Sequence, residues 1–191
     1  MRPIDQKHVT AARDLARAFD DLGLRLVLIG GLAVCLVARP RFTKDIDALL
    51  IFDTDLVEGL LSDLHIRGFD PRFSGMAEFA REARFIGLIH LASGVAIDIA
   101  LGCMPFEEEV VDRSTEHRDD AVTLRLPTPE DLIILKAIAH RPQDLIDITT
   151  VAEVNPSIDR KRIQYWLEQY GELTETPDLW NMTEQLLDGG A

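Results

Sequence analysis

Two carboxylates one residue apart, in Asp45-Ile46-Asp47, open a run that continues Ala48-Leu49-Leu50-Ile51-Phe52. So apolar and branched a run reads as a strand, and side chains alternate along a strand, so Asp45 and Asp47 face one side and Ile46 the other. Like charges that close repel, and each prefers water; a cation between them removes that cost, and hard oxygen donors suit Mg²⁺. Taken alone, such a pair need be no more than the solvated edge of a strand. A third acid changes the balance. Within 95–101, Val95, Ile97, Ile99 and Leu101 form one apolar face, and Asp98 stands on the other between Ala96 and Ala100. Small neighbours leave room for a ligand, and a lone acid in a strand built for burial is costly unless it is paired or metal-bound. Upstream, Gly30-Gly31 separates two short apolar runs, 24–29 and 32–38. Glycines after a strand and before a helix let the backbone approach a phosphate, and a helix N-terminus favours anions. A plain tight turn accounts for the pair equally well.

The elements that must carry these residues follow from periodicity and punctuation. Val9, Ala12, Leu15, Ala16 and Phe19 recur at helical spacing, so 3–22 is expected to be a helix stopped at Gly23. Then come a buried strand over 24–29, a break at Gly30-Gly31, a short helix over 32–38 closed by Pro40, and the strand 45–52. A helix is expected over 56–67 with Gly68 as its stop, and a short one over 76–81. Strands 84–91 and 95–101 are joined by the hairpin signal Ala92-Ser93-Gly94, followed by a helix over 105–113 and a strand over 122–126. Glu107-Glu108-Glu109 is the acidic first turn of that helix. Thr128 caps a helix with Pro129 at its first position and Glu130 and Asp131 in its first turn. It runs to about 140, and helices over 142–153, 157–170 (ending at Gly171) and 177–187 complete the chain. The expected fold class is α+β: a mixed β-sheet with packed helices in 1–126, followed by a helical C-terminal region in 127–191.

Composition narrows the partners. The 191 residues carry 20 Lys+Arg against 33 Asp+Glu, a net charge of −13. Such a chain binds polyanions poorly unless its few bases cluster, so no non-specific DNA binding is expected at physiological salt. A nucleoside triphosphate is not excluded, because a bound divalent ion supplies positive charge locally. Cys35 and Cys103 both adjoin apolar residues and are expected as buried, reduced thiols, in keeping with a cytoplasmic location. The longest uncharged apolar run, 26–38, is too short to span a bilayer, and the first residues lack the apolar core of a signal peptide; no membrane association is expected. There is no Walker-type phosphate loop and no dinucleotide-binding Gly-x-Gly-x-x-Gly.

Taken in order, Ile29-Gly30-Gly31, the short helix, Asp45-Ile46-Asp47 and Asp98 on a later strand resemble the signature of the DNA-polymerase-β-like nucleotidyltransferase superfamily. The resemblance spans roughly residues 24 to 101. It extends into the helical half, where Lys136, Arg141, Asp144 and Asp147 look like the Lys…Arg…Asp…Asp motif of abortive-infection-type (type IV toxin–antitoxin) toxin nucleotidyltransferases and related small bacterial nucleotidyltransferases. The resemblance implies the nucleotidyltransferase fold and transfer of an NMP group from an NTP to an acceptor hydroxyl, with release of pyrophosphate. It implies that Asp45, Asp47 and Asp98 hold Mg²⁺ (or Mn²⁺), with Asp98 as general base. It further implies that Gly30 and Gly31 cradle the phosphates, helped by Thr43 and Lys44, and that Lys136 reaches the nucleotide from the second half. The acceptor it leaves open: tRNA or a protein, with an antitoxin as a possible partner, or a small cationic molecule such as an aminoglycoside. A tRNA acceptor needs a local basic patch, for which Arg39, Arg41, Lys44, Arg72, Arg81 and Arg84 are the candidates. A silent nucleotide-binding module is the remaining alternative. Lys136 has an alternative too: in a helix apolar nearly all round, it needs an acid such as Asp144 or Asp147 beside it for purely structural reasons.

Overall fold

The computed structural model describes residues 5–119 and 122–189. The first helix, α1 (Gln6–Asp21), starts at an N-cap, Asp5, whose side chain accepts from the Lys7 N–H; the expected start at 3 lies outside the described residues. Strand β1 (Leu26–Ile29) runs directly into α2 (Gly30–Val37), which ends before Pro40. The glycine pair is therefore not a break between strand and helix but the first turn of the helix itself. Strand β2 (Asp45–Ile51) follows, then a 3₁₀ turn (Thr54–Leu56) leading into α3 (Val57–Ile66). Next come β3 (Phe69–Pro71), α4 (Met76–Ala83), β4 (Phe85–His90) and β5 (Ala96–Gly102). Helix α5 (Pro105–Arg113) is followed by the hairpin strands β6 (Thr115–Asp119) and β7 (Val122–Leu126). Four helices close the chain: α6 (Pro129–Ala139), α7 (Pro142–Val154), α8 (Arg160–Leu173) and α9 (Leu179–Asp188).

Five strands form one mixed sheet in the order β1-β2-β5-β4-β3, and β6 and β7 pair separately. Among the described residues, β2 and β5 run parallel and every other pairing is antiparallel. The alternation predicted for Asp45-Ile46-Asp47 in β2 and for β5 is realised. Ile46, Ile86, Leu88, Ile97 and Ile99 are fully buried on one face, whereas Asp45, Asp47 and Asp98 are only partly covered on the other. The apolar core is continuous from the sheet into the C-terminal helices and includes Leu15 and Phe19 of α1, Leu49, Ile133, Ile134 and Ile148. Helices α6 and α7 both pack on α2, which places the helical half over the end of the sheet where the acids lie. Among the described residues no helix is long and apolar enough to cross a membrane.

Four local expectations need correction. Strands β3 and β6 were not expected: β3 is three residues long and ends in proline, and Thr115-Glu116-His117-Arg118 has no apolar face to signal a strand. Gly171 does not end α8, which continues to Leu173. A Cβ there would lie 2.8 Å from the Thr176 carbonyl oxygen, so the glycine is needed for the close return of the chain, sealed by Thr176 N–H donating to Gly171 O at 2.9 Å. Cys35 is buried as expected, but Cys103 is exposed. It lies just beyond the last strand residue, and its backbone N–H donates to the Glu107 carboxylate that closes the first turn of α5.

Candidate active site

Parallel pairing of β2 and β5 sets Asp47 and Asp98 side by side as register partners, with Asp45 opposite Ala96 one pleat away. In a parallel pair, register partners point to the same face, so all three carboxylates stand together. They form part of the lining of a cleft of about 720 Å³, a volume suited to a nucleotide-sized ligand. Ala100 and Phe85 extend the same wall. Gly31 and the loop residues Arg41, Thr43 and Lys44 form a second wall, and Lys136, Arg141 and Gln143 of the helical half a third.

The glycine pair and the acids are one steric unit. Gly30 has φ +64°, a left-handed conformation that disfavours a side chain, and a Cβ there would lie 2.5 Å from Asp47 Cγ and 2.6 Å from Asp47 Cβ. Asp47 thus stands where any other residue at position 30 would collide with it. The glycine pair expected to cradle phosphates also makes room for Asp47. Gly31 makes room on its other side: a Cβ there would meet Thr43 Oγ1 at 2.7 Å and the Arg41 guanidinium at 3.0 Å. Thr43 is buried, and its hydroxyl donates to the Asp45 carbonyl at 3.1 Å, tying the loop to the start of β2. Lys44 is exposed at the rim.

Electrostatics report the crowding. Burial pushes the Asp47 carboxyl above its ordinary range, and the neighbouring Asp45 and Asp98 push it further; Lys136 and the Gly31 N–H act the other way. Asp98 is also raised, first by burial, with the Arg72 guanidinium opposing and Asp45 adding to the shift. Among the described residues no three acidic, histidine or cysteine side chains are drawn close enough to enclose an ion as they stand. The donor chemistry nevertheless fits a hard divalent cation: three carboxylates stand on one face, and burial raises two of them above their ordinary range.

Lys136 is buried and borders the cleft. Its ammonium lies 2.7 Å from Asp144 Oδ1 and 3.0 Å from Asp147 Oδ2, so both acids of the sequence motif are its partners. Arg41 Nη2 reaches the same Asp147 oxygen at 2.7 Å, and Gln143 donates to Asp147 Oδ1 at 3.2 Å. Asp144 also accepts the Arg141 backbone N–H at 3.1 Å. The pairing required by a structural role is therefore present, on a lysine that also senses Asp47. From the sequence, Arg41 and Arg72 are candidates for a basic patch, and Arg72 also for lining a phosphate site; the structure gives each a specific acid. Of the other candidates for that patch, Arg39 pairs with Glu153 and Arg84 donates to the carbonyls of Leu101 and Gly102.

Over residues 8–176 the sequence matches the family described as "Nucleotidyltransferase of unknown function (DUF6036)". The chain belongs to this family. No curated protein matches it by sequence. Solved structures agree on the fold of this nucleotidyltransferase-family chain. An antigenic nucleotidyltransferase-like protein from Paracoccidioides brasiliensis is similar with TM-score 0.58 at 17% identity, covering 96% of this chain and 95% of that one. The lincosamide antibiotic adenylyltransferase LnuA, lincomycin-bound, is similar with TM-score 0.52 at 17% identity, over 78% of this chain and 98% of that one. The antibiotic-resistance factor ANT(2'')-Ia is similar with TM-score 0.53 at 15% identity, over 97% and 92%.

Proposed function

We propose that the chain transfers an NMP group from an NTP to a hydroxyl of a small-molecule acceptor, and that the pairing of Asp47 with Asp98 across the parallel strands carries this reading. Asp45, Asp47 and Asp98 would hold Mg²⁺ (or Mn²⁺), which when bound neutralises triphosphate charge and acidifies the acceptor hydroxyl. The chain's own residues do the rest. Arg41, whose buried Nε has no hydrogen-bond partner, and Lys136 offer positive charge to the triphosphate from two walls of the cleft. Lys44 adds a flexible cation at the rim, and Thr43 holds the loop that carries both basic residues. Asp98, flanked by alanines that leave room for the acceptor, is the proton acceptor for the hydroxyl. The acceptor oxygen bonds to the α-phosphorus as the bond to pyrophosphate breaks. Residues 1–126 supply the carboxylates and 127–191 the third wall.

A small acceptor is favoured over RNA because Arg39, Arg41, Arg72 and Arg84 are engaged with acids and carbonyls, and the chain carries −13. The fold is also one on which a lincosamide antibiotic adenylyltransferase is built. The test is incubation of the chain with each α-labelled NTP and Mg²⁺, together with tRNA or a panel of polyhydroxylated amines. Label on a small amine with pyrophosphate release, lost in Asp47→Asn, is expected. Label on tRNA overturns the acceptor, and no transfer to any acceptor tested overturns the reaction.

A further inference from the structure

Asp98 already has a cation. Arg72 stands one residue beyond β3, and its backbone N–H donates to Gly87 O at 2.9 Å, which fixes its Cα beside β4. Gly87 is in turn the register partner of Asp98 on β5. Arg72, Gly87 and Asp98 thus lie in a row across three chain segments, and the middle one has no side chain. A Cβ at Gly87 would lie 2.5 Å from Arg72 Nε and 2.8 Å from Cζ. The guanidinium lies in that gap, with Cζ 5.6 Å from the centroid of the Phe85 ring, and its Nη2 reaches Asp98 Oδ1 at 2.5 Å. The contact is a close charge pair that opposes the effect of burial on the Asp98 carboxyl. The Arg72 side chain is one-third exposed, with a way out to solvent.

Resting on the reading of Asp98 as a metal-binding carboxylate, we propose that Arg72 is a resident counter-cation that a divalent ion must displace from Asp98. A divalent ion that takes Asp98 Oδ1 meets the Arg72 guanidinium on the same oxygen, and at contact distance the two cations repel strongly. Metal binding at this carboxylate is then an exchange of cations, and Asp98 is engaged only once the incoming ion has outcompeted the arginine. Arg72 acts through Asp98 as a positioning residue. Gly87 is the passage that lets it reach across β4, which gives an isolated glycine in a central strand a purpose.

The experiment measures Mn²⁺ affinity by calorimetry, and melting in EDTA and in saturating Mn²⁺, for the wild type, Arg72→Met, Arg72→Lys and Gly87→Ala. Arg72→Met is expected to melt lower in EDTA and to bind Mn²⁺ about fivefold tighter, the factor that loss of a partly exposed competing pair corresponds to. Its metal-induced rise in melting temperature should exceed that of the wild type. Arg72→Lys restores the charge and should return affinity toward wild type. Gly87→Ala leaves Arg72 and Asp98 in the chain but evicts the guanidinium, so it should bind like Arg72→Met; it keeps the test open if Arg72→Met fails to fold. Equal or weaker Mn²⁺ binding by both Arg72→Met and Gly87→Ala overturns the exchange while leaving the metal-dependent reading intact. A loss of stability identical with and without Mn²⁺ does the same, since that is what a merely structural arginine would give. If neither wild type nor variants bind Mn²⁺, the reading of the site falls and the exchange with it.

Discussion

Replacing Gly30 by alanine tests the steric unit on which the site is built. Two costs add. At φ +64° a side chain costs about 1–2 kcal/mol of backbone strain. The new methyl would also stand 2.5 Å from Asp47 Cγ and 2.6 Å from its Cβ, and Cβ is anchored to β2 and cannot swing aside. Overpacking of that kind typically costs about 1–3 kcal/mol. The total, about 3 kcal/mol, should lower the melting temperature by about 6–12 °C in a chain of this size. Gly23→Ala is the matched control: its φ is +68° and a Cβ there has nothing within 4 Å, so only the backbone cost applies. Thermal denaturation of both, followed by circular dichroism, isolates the clash as their difference. Asp47→Gly in the Gly30→Ala background should recover most of that difference, because it removes the colliding atoms. If Gly30→Ala melts with Gly23→Ala, or the double variant recovers nothing, the glycine is not reserved for Asp47 and the reasoning fails.

Asp47→Asn addresses charge rather than shape. A folded pKa raised above 3.8 means the folded chain holds its proton more tightly than the unfolded chain. Stability therefore falls as pH rises from about 4 through the folded pKa, and the full cost is present above it. In EDTA at pH 7 the variant should melt no lower than wild type and vary less with acid pH, while losing the Mg²⁺-induced rise; a lower melting point in EDTA contradicts the repulsion. Lys136→Met leaves two buried acids short of their cation, so a loss of about 3 kcal/mol is expected, at the low end for a broken buried pair because Arg41 still serves Asp147. Urea denaturation measures it, and a change under 1 kcal/mol would show the ammonium is not needed by Asp144 and Asp147. Gly171→Ala, which at an open helical position would stabilise, should instead cost about 1–3 kcal/mol because of the Thr176 carbonyl, a sign that the same titration reads directly.

The carboxylate cluster was legible because strand alternation is a strict rule: once 45–52 and 95–101 read as strands, Asp45, Asp47 and Asp98 each had to oppose an apolar face. The helices of the C-terminal half were legible from caps, Thr128 and Pro129 above all. The two strands that escaped notice lack such a rule, since three residues ending in proline show no alternation and a hairpin polar on one strand shows no period. That omission hid the partner of Asp98, because Arg72 acquires its place only once β3 is an edge strand beside β4. A trace of it was present in Gly87, a glycine inside a strand with no turn to make. Gly171 misled in the opposite direction: glycine after a helical run suggests termination, and only the returning loop shows it serves close approach. The double pairing of Lys136 was open as one of two possibilities, since an acid three or six residues into the next helix has no fixed distance from a lysine on the previous one.

The parallel pairing of β2 with β5 also bears on how the chain reaches its native state. Strands β3, β4 and β5 with α3 and α4 are joined by antiparallel neighbours and short turns, so this portion can organise from local contacts. Joining β5 to β2 instead closes a loop of about 50 residues before any reward is collected, which delays it in the folding order. Asp47 and Asp98 are brought together in that late event, so the nascent chain collapses without their repulsion. Substitutions that relieve it should then leave the refolding rate nearly unchanged and slow unfolding, a φ-value near zero at both positions in a chevron analysis.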